Sequence, residues 1–262
     1  MPELAELKLT SDYVNGVSAG KVFSHISKNP EHKWIEVDFG EPFTIKSQSR
    51  GKEIMLTLES TVSEKVDNLM MTMGMSGHYQ WVPEGEIVKH THLTFHCESG
   101  GHLGFVDIRR FGKWKWGDWN PDRGPDPTTE YFLFVNNVMQ NLHKRAFDRP
   151  IYEILMNQRY FNGIGNYLRA EILYRIPSAD PFQSARDFIN RNKWELFKLC
   201  KDIPILVYEI GGGTLKDWKN PFGEVSTVSD FMECYGNRSM CKLEDKNGRM
   251  FWYDPKWKNE II

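Results

Sequence analysis

The chain opens Met1-Pro2-Glu3. Removal of Met1 would leave Pro2 with a free secondary amine, and α-amino groups titrate near ~8. Part of that amine is unprotonated at neutral pH, so it can attack an aldehyde-level carbon. A secondary amine gives a cationic iminium there, which is an electron sink for elimination. Glu3 stands beside it and can transfer protons. The plain alternative is structural, because Pro suits the first turn of a helix.

Other residue groups could do chemistry. Phe161-Asn162-Gly163-Ile164-Gly165-Asn166 lies between two helical patterns. Such a turn can present main-chain N–H groups to an anion such as a DNA phosphate, or it can simply join two helices. In Phe105–Trp114, Arg109 and Arg110 precede Phe111. Arginine can replace a base in hydrogen bonding while an aromatic ring wedges into a base stack; the alternative is a solvated basic turn. Met75 is displayed in Gly74-Met75-Ser76-Gly77, unless it is a core methionine. Period 2 would put His90, His92 and His96 on one strand face. Neither acid nor thiol at ligand spacing supports a metal there.

These groups need elements to position them. Glu3 to Val17 reads as one amphipathic helix. Phe23 to Trp116 is strand-like, with short β-forming runs at Ile54–Leu58, Leu69–Met73, His78–Val82 and Leu93–His96. Residues 119–128, rich in proline, form the expected linker. It separates an N-terminal domain, 1–118, from a helical one, 129–262. Helices are expected over Glu130–Leu142, Pro150–Asn157, Tyr167–Arg175 and Ala185–Ile203. The glycines from Gly211 to Gly223 predict a mobile loop. Cys234 to Tyr253 predicts strand–turn–strand, with Arg249 at the tip of an Asn247-Gly248 hairpin.

Composition narrows the field. The 262 residues are 40% hydrophobic and 26% charged, which excludes global disorder. No apolar run reaches the ~20 residues that span a bilayer. The N-terminus has no basic region followed by an apolar stretch, so a secretory signal is not expected. A net charge of −2 argues against a generic nucleic-acid coat but leaves room for a local basic cleft. Cys97, Cys200, Cys234 and Cys241 show no C-x-x-C spacing, so a disulfide framework is not expected and reducing conditions are the default.

Together and in this order, these residues resemble the formamidopyrimidine-DNA glycosylase / endonuclease VIII family. The nearest likeness is its eukaryotic branch with a zincless finger. The resemblance runs from Pro2 to about Trp252 and includes Arg50-Gly51-Lys52-Glu53, Phe105–Trp114, Ala146–Pro150 and Tyr160–Arg175. It implies an α+β fold: an N-terminal helix, a two-layer antiparallel β-sandwich, then an α-helical domain with a helix–two-turn–helix and a β-hairpin zincless finger, about 232–262. DNA would lie in the cleft between the domains. It implies Pro2 as Schiff-base nucleophile, Glu3 as the acid for sugar opening and base loss, and Glu6 as a helix residue near the site. Lys52 would contact the lesion phosphate and serve β-elimination; Arg249 would serve phosphate contact and δ-elimination. Met75, Arg109 and Phe111 would fill the gap left by a flipped nucleotide. His90, Arg110 and Asn166 would hold the DNA backbone. The usual start is Met-Pro-Glu-Gly-Pro-Glu, and here Leu4-Ala5 replace Gly-Pro.

The implied activity is a bifunctional DNA glycosylase and AP lyase of base-excision repair, acting on oxidised pyrimidines and formamidopyrimidines. No cofactor, metal or membrane is implied. The expected protein is an intracellular, nuclear or otherwise DNA-associated monomer on double-stranded DNA, with single-stranded or bubble DNA as an alternative. A silent binder of damaged or abasic DNA is the competing reading. Retention of Pro2, Glu3, Lys52 and Arg249 together argues against it.

Overall fold

The computed structural model describes residues 1–176, 180–213, 218–223 and 227–260. Helix α1 (Leu4–Ser18) starts at a capping box, in which the Glu3 main-chain N–H donates to Glu6 Oε2 at 2.6 Å. Its buried side carries Leu7 and Val14 into the core. Its polar side is fixed to a strand: Asn15 Nδ2 donates to the Ser47 carbonyl at 2.8 Å, and Ser47 N–H donates to Asn15 Oδ1 at 2.7 Å.

Eight antiparallel strands follow: β1 (Phe23–Lys28), β2 (Phe43–Arg50), β3 (Glu53–Ser60), β4 (Val66–Thr72), β5 (His78–Val82), β6 (Thr91–Cys97), β7 (His102–Val106) and β8 (Lys113–Trp116). Their hydrogen-bonded order is β5-β7-β6-β1-β2-β3-β4-β8. The β1–β2 junction is a single residue pair, Phe23↔Phe43, so the ladder folds there into two layers. Side chains from opposite ends then meet inside. Tyr79 Oη of β5 donates to Met71 Sδ of β4, and the Phe105 ring of β7 packs edge-on to Trp114 of β8 at 6.1 Å. Alternation drives this: Phe43 and Ile45 of β2 point inward while Lys46 is exposed.

The remaining elements are helical until the end: α2 (Tyr131–Asn141), α3 (Ile151–Ile154), α4 (Asn166–Tyr174), α5 (Ala185–Glu209), α6 (Val228–Phe231), then the hairpin β9 (Cys241–Glu244) and β10 (Met250–Tyr253). Helix α3 is shorter than its pattern predicts. The Asn157 and Met156 N–H groups bond three residues back, to Ile154 and Glu153, which closes the turn. Helix α5 is longer than predicted, running through Pro204 with a kink at Asn192. Ile203, Pro204 and Val207 are all buried, so packing carries the helix past the proline.

Three expectations need correction. Gly211, Gly212 and Gly213, where the expected loop begins, lie outside helix and strand but are buried and closely packed; a Cβ on Gly212 would lie 2.8 Å from Leu9 and 2.9 Å from Trp218. Positions 214–217 of the expected loop lie outside the described residues. The three histidines do not share a strand face: His90 precedes β6 with φ 67°, and His92 is buried while His96 is half-exposed. A register shift between Thr91 and Leu93 breaks the period-2 pattern at that point. Cys234 lies in a turn, and the first strand of the hairpin begins only at Cys241.

The chain forms two compact units: Met1–Asn120 with Gly211–Ser226, and Pro121–Ile210 with Thr227–Ile262. The sequence reading has one boundary, in 119–128. The structure also returns a later segment to the first unit, because Trp218 and the Gly211–Gly213 run pack there.

Candidate active site

In the first unit, Pro2, Glu3 and Glu6 are buried at the start of α1. Both oxygens of the Glu6 carboxylate accept main-chain N–H groups, Oε2 from Glu3 and Oε1 from Gly213, each at 2.6 Å. Glu6 therefore fixes the backbone next to Pro2, and Gly213 is a partner that no motif signalled. Lys52 lies half-buried in the two-residue turn joining β2 and β3, where Gly51 supplies the positive φ of 58°. The strand leading into that turn is the one bolted to α1 through Ser47 and Asn15.

A second group lies on the loops of the same unit. Arg109 Nη1 is 3.4 Å from Met75 Sδ. Gly74 packs so tightly against the neighbouring loop that a Cβ there would meet the Phe111 carbonyl carbon at 2.6 Å. Phe111 is 55% exposed, which leaves its ring available for stacking. Arg110 adopts φ 58° and pairs with Glu31 at 3.3 Å, while the His90 carbonyl accepts the Asp107 N–H at 3.0 Å. The structure thus brings Met75, His90, Arg109, Arg110 and Phe111 together.

Asn166 and Arg249 belong to the second unit and are joined there. Asn166 is the first residue of α4, and its Nδ2 donates to the Met250 carbonyl at 3.0 Å. Arg249 closes the hairpin one step below its tip: the Asp245 N–H donates to the Arg249 carbonyl at 2.8 Å. Its own N–H donates to Asp245 Oδ1 at 3.0 Å. This corrects its expected place at the tip itself. The Arg249 side chain is partly exposed. Two buried residues that sequence reasoning missed hold this arrangement. Arg169 Nη1 pairs with Asp245 Oδ2 at 3.0 Å, and Arg169 Nη2 donates to Asn166 Oδ1 at 2.6 Å. Burial pushes the Asp245 carboxyl up. The Arg249 and Asn247 N–H groups and Arg169 outweigh that and hold it below the ordinary carboxylate range.

No set of three His, Cys, Asp or Glu among the described residues is arranged to hold a metal. Burial first, and the Glu171 carboxylate second, push the Cys234 thiol up to about 12, so it is a neutral buried thiol in this setting.

The model of the formamidopyrimidine-DNA glycosylase N-terminal domain matches residues 1–114. Endonuclease 8-like 1 of Homo sapiens is 39% identical over 290 residues, which cover 97% of this chain and 72% of that relative. The chain belongs to the formamidopyrimidine-DNA glycosylase / endonuclease VIII family. The fold agrees. The MutM (Fpg) protein of Thermus thermophilus superposes with a TM-score of 0.81 at 23% identity, over 98% of each chain. A Lactococcus lactis Fpg mutant in complex with Fapy-dG-containing DNA gives 0.79 at 21% identity, over 98% of this chain and 99% of that one. As a member of this glycosylase family, the protein is a DNA-binding base-excision repair glycosylase. Its buried N-terminal carboxylates and its half-exposed Arg, Met and Phe loops are then the groups to consider for chemistry and for DNA.

Proposed function

We propose that the protein is a bifunctional glycosylase and AP lyase that removes oxidised bases, chiefly oxidised pyrimidines and formamidopyrimidines. The observation that carries this reading is the N-terminal constellation: a buried Pro2 followed by Glu3, with its backbone fixed by Glu6. With Met1 removed, the Pro2 nitrogen attacks C1′ of a flipped nucleotide. The C1′–base bond breaks, the departing base takes up the proton that the amine loses, and Glu3 protonates O4′ as the sugar ring opens to the iminium. The resulting iminium acidifies C2′. Loss of a C2′ proton expels the 3′-phosphate, with Lys52 contacting the lesion phosphate, and a second elimination expels the 5′-phosphate, with Arg249 on its charge. Flipping costs a few kcal/mol, less for damaged bases. Met75, Arg109 and Phe111 occupy the gap, while His90, Arg110 and Asn166 hold backbone phosphates.

Borohydride trapping tests the reading. The wild-type protein should form a reduced covalent adduct with abasic DNA, and a version with residues left before Pro2 should form none and cleave nothing. Equal trapping by the blocked protein would move the nucleophile to a lysine.

A further inference from the structure

Met75 and the pair Arg109 and Phe111 stand on loops more than thirty positions apart in sequence, and one buried carboxylate joins them. Asp107 is fully buried. Its Oδ1 accepts the Ser76 hydroxyl at 2.5 Å and the Arg109 N–H at 3.2 Å; its Oδ2 accepts the Gly112 N–H at 2.7 Å. Ser76 Oγ in turn accepts the Arg109 N–H at 3.1 Å, which closes a ring of bonds between the loops. The main chain of Asp107 adds three more ties, one of them between its carbonyl and His92 Nε2 at 2.8 Å. Its N–H donates to the His90 carbonyl at 3.0 Å, and its carbonyl accepts the Arg110 N–H at 3.2 Å. His90 and Arg110 are the two non-glycine residues with positive φ among the described residues, 67° and 58°. Such backbone persists only where its surroundings over-determine it. Gly112 is equally constrained, since a Cβ there would lie 2.5 Å from the Phe105 ring and 3.1 Å from Asp107 Oδ2.

We propose that Asp107 is the positioning residue for gap filling: it fixes Met75, Arg109 and Phe111 relative to one another before DNA binds. A carboxylate is the fitting group because both its oxygens only accept. Loops ordered in advance lose less freedom on binding. The inference rests on the gap-filling role given to Met75, Arg109 and Phe111 above, and the buried Asp107 acts through those residues.

The test is a double-mutant cycle read in two ways. Asp107→Asn keeps size but turns one acceptor into a donor facing an N–H or a hydroxyl. Single-turnover excision from duplex DNA should fall roughly tenfold or more, the scale of one lost hydrogen bond to a charged group. The response of 2-aminopurine placed opposite an abasic analogue should change as it does in Phe111→Ala. In the Phe111→Ala background, Asp107→Asn should then cost little more, because the two act on one step. Ser76→Ala removes the two bonds of its hydroxyl but leaves the Asp107 carboxylate on the Arg109 and Gly112 N–H groups, so it should move both readouts the same way by less, which covers an Asp107→Asn protein that fails to fold. Full additivity of Asp107→Asn with Phe111→Ala, or unchanged 2-aminopurine response in Asp107→Asn and Ser76→Ala, would overturn the inference. Wild-type excision and 2-aminopurine response in both Met75→Ala and Phe111→Ala would instead overturn the gap-filling reading, whatever Asp107 does.

Discussion

Glu3 and Arg249 can be separated by the step proposed for each. Glu3→Gln keeps the side chain's size and its place at the helix start but removes the acid. Base excision should collapse by at least ~100-fold, the lower range for a general acid. Cleavage at a ready-made abasic site should survive in part, because the Pro2 iminium and Lys52 remain. Gel assays on a lesion and on an abasic oligonucleotide distinguish the two steps, and full excision by Glu3→Gln would reduce Glu3 to a capping residue. Arg249→Ala should lower the slope of log affinity against log salt by about one phosphate contact and enrich β- over δ-elimination products. Unchanged product ends would remove Arg249 from the elimination.

The hairpin β9–β10 is held by side chains rather than by length, since each strand has only four residues. An isolated two-stranded hairpin is marginal in water. Two buried charges of α4 supply the anchorage. The Glu171 carboxylate accepts the main-chain N–H groups of Glu233, Cys234 and Tyr235 at 3.1, 3.0 and 2.6 Å. Arg169 pairs with Asp245, and the Arg169 guanidinium packs over the Phe251 ring at 5.1 Å. Arg169→Met would leave Asp245 buried without its cation, and such a change costs about 3–5 kcal/mol. Urea titration should show that loss, and the variant should also lose Arg249-dependent cleavage because its turn is freed. A loss below ~1 kcal/mol would mean that water already reaches Asp245. Chelator treatment should leave the melting temperature unchanged, since ladder bonds and aromatic packing such as Tyr152 on Phe251 at 4.8 Å hold the finger. A fall in melting temperature with chelator would point to a bound metal.

The stability of the protein as a whole should depend on pH through His32. Its ring is buried between His92 at 4.5 Å and Trp114 at 4.6 Å. Burial first, then the charges of His92, Lys28 and Arg110, lower its pKa to about 4. An unfolded histidine titrates near ~6.5. Between those values the unfolded chain binds more protons, so stability rises with pH across that window and falls on acidification. The loss at the acidic end is roughly 3 kcal/mol from this one group. His32→Phe should remove that share of the slope in urea midpoints measured across this window. An unaltered slope would show that His32 is solvated in the folded protein.

The order of elements and a set of candidate site residues are legible in the amino-acid order alone. Short β-forming runs locate β5 to the residue and β3, β4 and β6 within a few, and 3.6-residue spacing locates α1, α2 and α4, because residue type and local spacing report what a strand or a helix face can bury. The family resemblance names Pro2, Glu3, Lys52, Met75, Arg109, Phe111, Asn166 and Arg249 as candidates, and their residue types suit the chemistry proposed for them. Local pattern misjudges the places where packing overrules propensity: α5 running through Pro204, and the buried Gly211–Gly213 run, whose small size lets the backbone approach Leu9 and Trp218. Which distant residues meet is settled by tertiary packing. Gly213 on Glu6, Asp107 between two loops, and Arg169 on Asp245 are buried polar contacts between segments apart in sequence. No periodicity encodes such partners, because what fixes them is the cost of leaving a buried donor or acceptor unpaired once the fold has closed.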